Sequence, residues 1–298
     1  MVGAGAAGLG AADRLRQHDL EVTVVEARSR IGGRVWSNAS LGATVDLGAS
    51  WIHGVEDNPL SDLSDGADID RVSTDYDSYA VRDRRGDLVS LDQVPPALLE
   101  VAEIEHEYAA DAAALSPEAT EEGDDLGGGD VVFPGGYVEV PEQLLSGYDV
   151  LLDTHVESVE VDSRATVRTA SNDIEADAVL VTVPLGVLKA RSIAFVPDLP
   201  EATWAAIDRL GMGLLNKVFL EFEDVFWDRD AHFLGHVGPS RDRFVQWVNL
   251  VPVTGRPILM AFNAGSAAEA IEELDDDQIV AEALETLRRM YPGELSTR

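Results

Sequence analysis

The sequence predicts an α/β protein in which a Rossmann-like domain is interleaved with a second, α+β domain. A glycine-rich turn at residues 3–8 is followed by a short apolar strand that ends in an acid, Glu26, which is the pattern of a βαβ unit. Two later apolar stretches, residues 150–161 and 178–183, return to strand composition after a long acidic insertion. The 298 residues allow about two domains.

The glycine-rich turn indicates a dinucleotide site. Gly3 permits a tight turn, Gly5 lets the backbone approach a pyrophosphate, and Gly8 allows the next helix to pack on the strand. The pyrophosphate is expected at the N-terminus of that helix. Glu26 follows at about the 20-residue spacing that suits hydrogen bonds to a ribose, which disfavours a plain strand-to-helix connection. Because only two residues precede the turn, we expect the true N-terminus to lie upstream.

Arginines and further glycines follow this strand. Residues 27–35 contain Gly32, Gly33, Arg28, Arg30 and Arg34 in a chain that is otherwise acidic. Arginine suits phosphate oxygens because its planar fork donates two parallel hydrogen bonds. The segment therefore indicates a phosphate-binding loop, with a solvated loop as the alternative.

Five segments, taken in order and spacing, resemble the flavin amine oxidase family. They are residues 26–35, 46–54, 133–137, 184–189 and 211–220. The resemblance covers residues 1–60 and 131–291 and is stronger to the branch of polyamine oxidases and lysine-specific histone demethylases. Protoporphyrinogen oxidases and carotenoid desaturases share the first segment but are less similar in residues 48–54 and at Asn216-Lys217. The implied fold is a Rossmann-like (GR2-type) FAD-binding domain interleaved with an α+β substrate domain.

The resemblance implies FAD as the cofactor. The chain has no cysteine for a thioether link, so FAD is expected to be non-covalent, and no metal site is expected. Val156 is expected to reach the adenine with its backbone, and residues 46–54 to pass the isoalloxazine ring. The residues expected to bind FAD are Gly3, Gly5, Gly8, Glu26, Ala27, Arg28, Gly33, Arg34, Gly48, Ala49, Ser50, Trp51, Val156, Thr182 and Pro184.

Lys217 is the expected catalytic residue. In the family, a lysine at this position holds a water against the flavin N5 atom. Lys217 and Lys189 are the only two lysines of the chain, and Lys217 lies in an apolar run where an unpaired cation is costly. Burial should lower its pKa and suit it to proton handling. The alternative is an edge-strand lysine that points to solvent.

Trp51 and His53 are expected to line the substrate pocket, although either could instead be structural. Trp227 and Trp247 are expected in the core. The family's reaction is oxidation of a neutral amine by hydride transfer to flavin N5, followed by reoxidation with dioxygen to give hydrogen peroxide. Two alternatives remain: an inactive or split remnant that at most binds a nucleotide, and a protoporphyrinogen oxidase or carotenoid desaturase relative.

The charge predicts an unusual solvent. Fifty-five acidic against twenty-two basic residues give a formal charge of −33, which would destabilise the fold in dilute buffer. Because about 1 M salt shortens the screening length to about 3 Å, the composition suits a salt-rich, halophilic cytoplasm. An acidic surface disfavours nucleic-acid binding, and neither a membrane span nor a secretion leader is expected. The expected partners are a small amine and dioxygen, and the oligomeric state stays open.

The predicted domains alternate along the chain. Residues 1–54 and 131–190 form the FAD domain, and residues 55–130 and 191–298 a shortened substrate domain. Residues 95–108 and 267–290 have helical apolar spacing, the latter interrupted by a cap at residues 275–277, and residues 121–130 form an acidic loop. Family members continue with a returning FAD segment, so we expect the chain to be truncated at this end too, with its FAD affinity and activity in doubt.

Overall fold

The computed structural model describes residues 1–116, 126–238 and 243–295. Its helices are α1 Ala6–Arg16, α2 Pro59–Gly66, α3 Pro96–Glu100, α4 His106–Tyr108, α5 Glu139–Glu142, α6 Leu185–Lys189, α7 Glu201–Arg209, α8 Val251–Thr254, α9 Gly265–Glu272 and α10 Asp276–Met290. Its strands are β1 Thr23–Val25, β2 Ser37–Asn38, β3 Val45–Asp46, β4 Trp51–Ile52, β5 Val72–Thr74, β6 Tyr79–Asp83, β7 Leu88–Val89, β8 Asp130–Val132, β9 Asp149–Leu151, β10 Val156–Val161, β11 Ala165–Thr169, β12 Asp173–Ala176, β13 Ala194–Val196, β14 Leu215–Glu221, β15 Phe233–Val237, β16 Gln246–Asn249 and β17 Ile258–Ala264.

The glycine-rich turn joins a small parallel sheet to helix α1. Strand β1 pairs in parallel with β9, and Val2 forms parallel bridges to Val25 and Val181 on the other side. Helix α1 covers this layer, since its Leu9 and Ala12 are fully buried in one apolar cluster with residues of β1. The predicted βαβ geometry is present, with its first strand reduced to the bridges of Val2.

Residues 178–183 differ from the buried strand that the sequence predicts. Only Val181 is bridged, through Val2, and Leu180 is 47% exposed. The apolar composition therefore does not give a fully paired, buried strand here: backbone pairing holds this segment on one edge only, and the Leu180 side chain is left uncovered.

The segment after β9 lies against the end of β1. Thr154 N–H donates to the Glu26 carbonyl at 2.8 Å, and Asp153 N–H donates to that of Arg28 at 3.0 Å. Strand β10 then begins a four-stranded sheet of order β12-β11-β10-β13. Val156, at the start of β10, is buried with Val2 in one apolar cluster.

The largest sheet has six strands in the order β14-β17-β16-β15-β6-β7. Its outer face carries Trp247, Leu234 and Leu259, which pack with Leu287 and Met290 of helix α10. Its inner face carries Phe219, Phe233, Val248 and Met260, which form a cluster with Val45 of β3. Trp247 is fully buried and Trp227 is 5% exposed, so the prediction that both are core residues is confirmed.

A three-stranded antiparallel sheet, β4-β8-β5, faces the inner face across part of that cluster. Its central row places Trp51, Val132 and Val72 side by side. This row shares one face of the sheet because directly paired residues point the same way.

The predicted helices are confirmed with one local difference. Residues 95–108 are helical, but Val101–Glu105 form a π-helical turn between α3 and α4, an irregularity that apolar spacing does not encode. Residues 267–290 form α9 and α10, and the Asp275 side chain caps α10 in a capping box with Gln278. Residues 121–125, half of the predicted acidic loop, lie outside the described residues. Over the described ranges, no helix is long and apolar enough to cross a membrane.

Candidate active site

Gly3 and Gly8 lie where the neighbouring backbone and Thr182 leave no room for a side chain. A Cβ atom on Gly8 would lie 2.0 Å from the Gly3 carbonyl oxygen, so α1 packs directly on the turn. Gly3 has φ +107°, and its own Cβ would lie 2.9 Å from Thr182 Oγ1. The Thr182 hydroxyl donates to the carbonyls of Val2 and Gly3 at 3.1 and 3.2 Å, which places Thr182 as a support of the turn.

The N-terminus of α1 presents free backbone donors. Gly5, its N-cap, offers no side-chain cap, and the first turn holds no acid. An anion there gains both hydrogen bonds and the helix dipole. Glu26 lies beside it, 9% exposed, with its carboxylate accepting from Ala4 N–H at 2.8 Å and Arg28 N–H at 2.9 Å. Each oxygen keeps further acceptor capacity for a hydroxyl.

The arginines of residues 27–35 divide into two kinds. Arg30 is tied to its own loop, because it donates to the carbonyls of Ile31 and Gly33 and stacks on Trp36 at 4.7 Å. Ala27, Arg28 and Arg34 are exposed. Arg34 has no side-chain hydrogen bond or ion pair within the described ranges, so its guanidinium is available to an anion.

Residues 46–54 pass directly beside this loop. Ala49 N–H donates to the Arg34 carbonyl at 3.0 Å, and a Cβ on Gly48 would lie 1.9 Å from the same oxygen. Gly33 lies against Gly5, since a Cβ on Gly33 would lie 3.2 Å from the Gly5 Cα. The predicted residues of the turn, the arginine loop and the 46–54 segment therefore form one contiguous surface.

Lys217 reaches this surface from the inner face of the six-stranded sheet. Its Nζ donates to the Asp46 carbonyl at 3.1 Å, the Gly48 carbonyl at 2.5 Å and Ser50 Oγ at 2.6 Å. It also lies 5.6 Å from the Trp51 ring centre. Strand β14 is an edge strand, but Lys217 points inward, so the alternative of a solvent-facing lysine is wrong.

Burial shifts the pKa values of the two ionisable groups at this point, Lys217 and Asp46. It lowers the pKa of Lys217 to about 8, with the charge of Asp46 acting in the opposite direction. Burial raises the pKa of Asp46, although hydrogen bonds from Ser37 and from Tyr137 N–H favour its charged form. Desolvation is the largest cause in both cases, so the lysine can exchange a proton near neutral pH.

Lys189, the second lysine, caps a helix instead. Its Nζ donates to the carbonyls of Ile207, Asp208 and Leu210 at the end of α7, at 2.9, 2.9 and 2.7 Å. The two lysines thus share one binding pattern, three carbonyl or hydroxyl acceptors around a single nitrogen.

Trp51 and His53 continue the site outward. The Trp51 ring stacks on His53 at 6.3 Å, and its Nε1 donates to Thr74 Oγ1 at 3.1 Å. His53 Nδ1 lies 2.6 Å from Asp130 Oδ2, and its side chain is 60% exposed. The structure therefore places Trp51 beside Lys217 and His53 at the solvent edge.

Two other predicted FAD contacts lie around the same parallel layer. Val156 is buried against Val2 and Val25, next to the strand that ends at Glu26. Pro184 is the N-cap of α6, two residues beyond Thr182.

A cavity of about 280 Å³ was not predicted from the sequence. It lies between α3, the π-helical turn and the inner face, and its polar lining includes Tyr76, Asp77, Tyr79, Glu103 and Gln246. Three of these residues lie within residues 76–79, but Glu103 and Gln246 are far from them in sequence, and the set belongs to no motif. The aromatic and acidic content of residues 76–79 is the one signal that could have drawn attention to them.

Lys217 and a lining residue of the cavity, Gln246, lie in the same row of the inner face. Lys217 pairs with Phe262, which pairs with Gln246, so three adjacent strands form one row. Gln246 Nε2 donates to the Tyr79 hydroxyl at 2.7 Å, and its Oε1 lies 2.7 Å from His106 Nδ1. This hydrogen-bonded row fixes the wall between Lys217 and the cavity.

Comparison with known proteins identifies the family. The profile described as "Flavin containing amine oxidoreductase" matches residues 6–126 and 114–297. The chain belongs to this family. It is 32% identical to probable polyamine oxidase 4 of Arabidopsis thaliana over 98% of its length and 71% of the relative. It is 33% identical to polyamine oxidase 3 of Oryza sativa subsp. japonica over 98% of its length and 73% of the relative. It is 29% identical to lysine-specific histone demethylase 2 of Homo sapiens over 98% of its length and 43% of the relative.

Solved structures agree on the fold. Putrescine oxidase, in its wild-type form bound to putrescine, aligns with a TM-score of 0.73 at 21% identity, over 98% of this chain and 81% of that one. The predicted α/β fold, the assignment to the flavin amine oxidases, and non-covalent FAD as cofactor are confirmed for this oxidoreductase. The domain boundaries and the individual site residues stay predictions.

The described residues fit the flavin cofactor. Gly5 leaves the α1 N-terminus open, no side chain of the described residues caps that helix end, and Glu26 has acceptor capacity beside it. Within the described ranges no cluster of three potential metal ligands occurs.

Proposed function

We propose that this flavin amine oxidase oxidises a polyamine-like amine and passes the electrons to dioxygen. Bound FAD supplies the acceptor for the hydride that leaves the amine α-carbon, and dioxygen then takes two electrons and two protons to form hydrogen peroxide. Water hydrolyses the imine product. The observation that carries the proposal is Lys217, largely buried on the inner face and held against residues 46–50.

Lys217 supports this chemistry through proton handling. All three of its N–H groups are engaged, so holding a water requires one of them to turn away from its present acceptor. The bond to the Asp46 carbonyl, at 3.1 Å, is longer than those to Gly48 and Ser50 and is the least costly to release. With its pKa near 8, Lys217 can lose a proton and become a neutral amine, which can accept a hydrogen bond from the Ser50 hydroxyl.

The residues proposed to hold FAD follow from the cradle. Gly3 and Gly8 let α1 pack on the turn, Gly5 keeps the α1 N-terminus open to the pyrophosphate, and Arg34 adds a free cation. Glu26 would accept from the ribose, because its carboxylate lies beside that helix end and is already oriented by two backbone donors. Trp51 would close the site on the substrate side.

The second cavity supports a substrate with more than one amino group. Tyr76 and Tyr79 offer aromatic faces, and Asp77 and Glu103 offer carboxylates, a combination that attracts organic ammonium groups. Adjacent strands are about 4.8 Å apart, so Gln246 lies about 10 Å from Lys217 along the row. An extended polyamine can therefore have one nitrogen at the reacting end and another in this cavity.

We further propose a salt-rich cytoplasm as the working environment. The formal charge of −33 supports this, because dense like charge is tolerated where the screening length is short. The same charge disfavours direct contact with nucleic-acid phosphates.

The test uses the full chain purified at molar salt with FAD. Anaerobic addition of spermine is expected to bleach the visible flavin spectrum, and Lys217→Met is expected to slow turnover, with Lys189→Met as the matched control. Glu103→Gln is expected to weaken the binding of spermine more than the binding of a monoamine. A chain that retains no flavin, or whose flavin spermine does not reduce, would support the inactive or split alternative and overturn the proposal.

A further inference from the structure

A narrow cavity of about 40 Å³ lies behind the Lys217 site. It is enclosed by the β4-β8-β5 sheet on one side and the inner face with helix α8 on the other. Its walls are largely apolar, formed among others by Val72, Val132, Phe219, Val253 and Met260. A space of this size admits a diatomic molecule or a few waters, which need about 15 Å³ each.

Three of the polar side chains along the walls are already hydrogen-bonded within the protein. Thr74 Oγ1 accepts from Trp51 at 3.1 Å, and the Thr254 hydroxyl donates to the Leu250 carbonyl at 2.8 Å. Asn249 Nδ2 donates to two backbone carbonyls at 2.9 Å each. A polar ligand would find few partners here, whereas an apolar one loses nothing on entering.

The lining of the cavity includes two groups of polar or exposed residues. The Asp46 backbone carbonyl and the Ser50 hydroxyl accept hydrogen bonds from Lys217 Nζ. Ser73 and Pro252 are exposed. The cavity therefore adjoins the residues that hold Lys217, and it shares no lining residue with the larger, carboxylate-lined cavity.

We propose that this cavity binds dioxygen and leads it to the Lys217 site. The inference rests on the proposed oxidase function, in which dioxygen gains two electrons and two protons from the reduced flavin and leaves as hydrogen peroxide. An apolar route separate from the amine cavity lets the gas arrive while a charged molecule occupies the other side. Small apolar cavities of this kind also take up xenon, which gives a direct probe.

The experiment narrows the cavity from both walls. Val72→Phe and Val253→Phe place a ring in the space, and Val225→Phe makes the same change among half-buried residues of the outer-face cluster. Xenon-induced shifts of valine methyl NMR signals are measured in each protein. The FAD-loaded proteins are also reduced with dithionite, without any amine, and mixed with dioxygen.

In the unmodified chain, xenon is expected to shift the methyl NMR signals of Val72, Val132 and Val253. In both wall variants, xenon is expected to leave the remaining valine signals of the cavity unshifted. Reoxidation is expected to slow about tenfold in the wall variants and to stay unchanged in Val225→Phe. Absence of xenon binding, or unchanged reoxidation in both wall variants, overturns the proposal. Because no amine is used, failure of spermine to reduce the flavin would count against the proposed function alone.

Discussion

The buried ammonium of Lys217 should make the stability of this protein depend on pH in a way that can be isolated. Its pKa is lowered from 10.5 to about 8 by burial, so the folded chain binds fewer protons than the unfolded chain between these values. Stability should therefore rise with pH across this window and be constant below it. A shift of about 2.5 units corresponds to about 3 kcal/mol.

The perturbation is Lys217→Met, which has a similar length and no charge. The measurement is the free energy of unfolding by denaturant at constant high salt, from about pH 7 to 11. The difference between the unmodified chain and the variant should grow by about 3 kcal/mol in favour of the unmodified chain. Tyrosines that ionise at high pH, including Tyr79, are common to both proteins and cancel in the difference.

At neutral pH, two opposing effects should leave the variant close to the unmodified chain in stability. Methionine removes the desolvation cost of the ammonium but leaves three acceptors, at Asp46, Gly48 and Ser50, without their donor, at about 1 kcal/mol each. Lys189→Met is the matched control, since it also removes three hydrogen bonds from an ammonium, in this case all to backbone carbonyls. A flat difference for Lys217→Met, or an equal rise for both variants, would refute the assignment of the shift to this site.

Three further results are expected. Gly8→Ala should prevent FAD binding and destabilise the chain by more than about 3 kcal/mol, because the new Cβ would meet the Gly3 oxygen at 2.0 Å. Gly10→Ala, in the same helix, adds a Cβ that meets nothing within 4 Å and should stabilise the chain by up to about 1 kcal/mol. Flavin titration and thermal unfolding compare the two variants. Asp228→Asn should lower the free energy of unfolding at neutral pH, because Arg82 and Tyr291 donate to this carboxylate and hold its pKa low. The difference in stability between the unmodified chain and the variant should vanish as acid protonates the carboxylate. A difference that persists at low pH would contradict this reasoning. The melting temperature should rise between about 0.1 and 2 M salt, and a fall would contradict the solvent inferred from the charge.

Local patterns allowed much of the fold to be predicted. The spacing of Gly3, Gly5 and Gly8 encodes a turn whose geometry depends on a few adjacent residues. The capping box at Asp275 likewise needs only its neighbour three positions on. Such features follow from sequence because their energetics are settled within one or two helical turns.

Other features could not be predicted because they depend on distant parts of the chain. The contact of Lys217 with Gly48 spans 169 positions, and only a family resemblance suggested it. The cavity lined by Tyr76 and Glu103 exists because a helix with a π-helical turn crosses a sheet whose strands come from both sides of the chain. The exposure of Leu180 likewise reflects which edges of a sheet are paired, information that apolar composition does not contain.

The pairing of both lysines with three oxygens each has a practical consequence for chemical labelling. Apart from the N-terminus, Lys189 and Lys217 carry all the primary amines of the chain, so an amine-directed reagent can modify very few positions. A reagent that needs the neutral amine must first release Nζ from its three acceptors. The modification rate of each lysine, measured on its peptide, would therefore report how often the protein opens at two places: the loop of residues 46–50 and the end of α7.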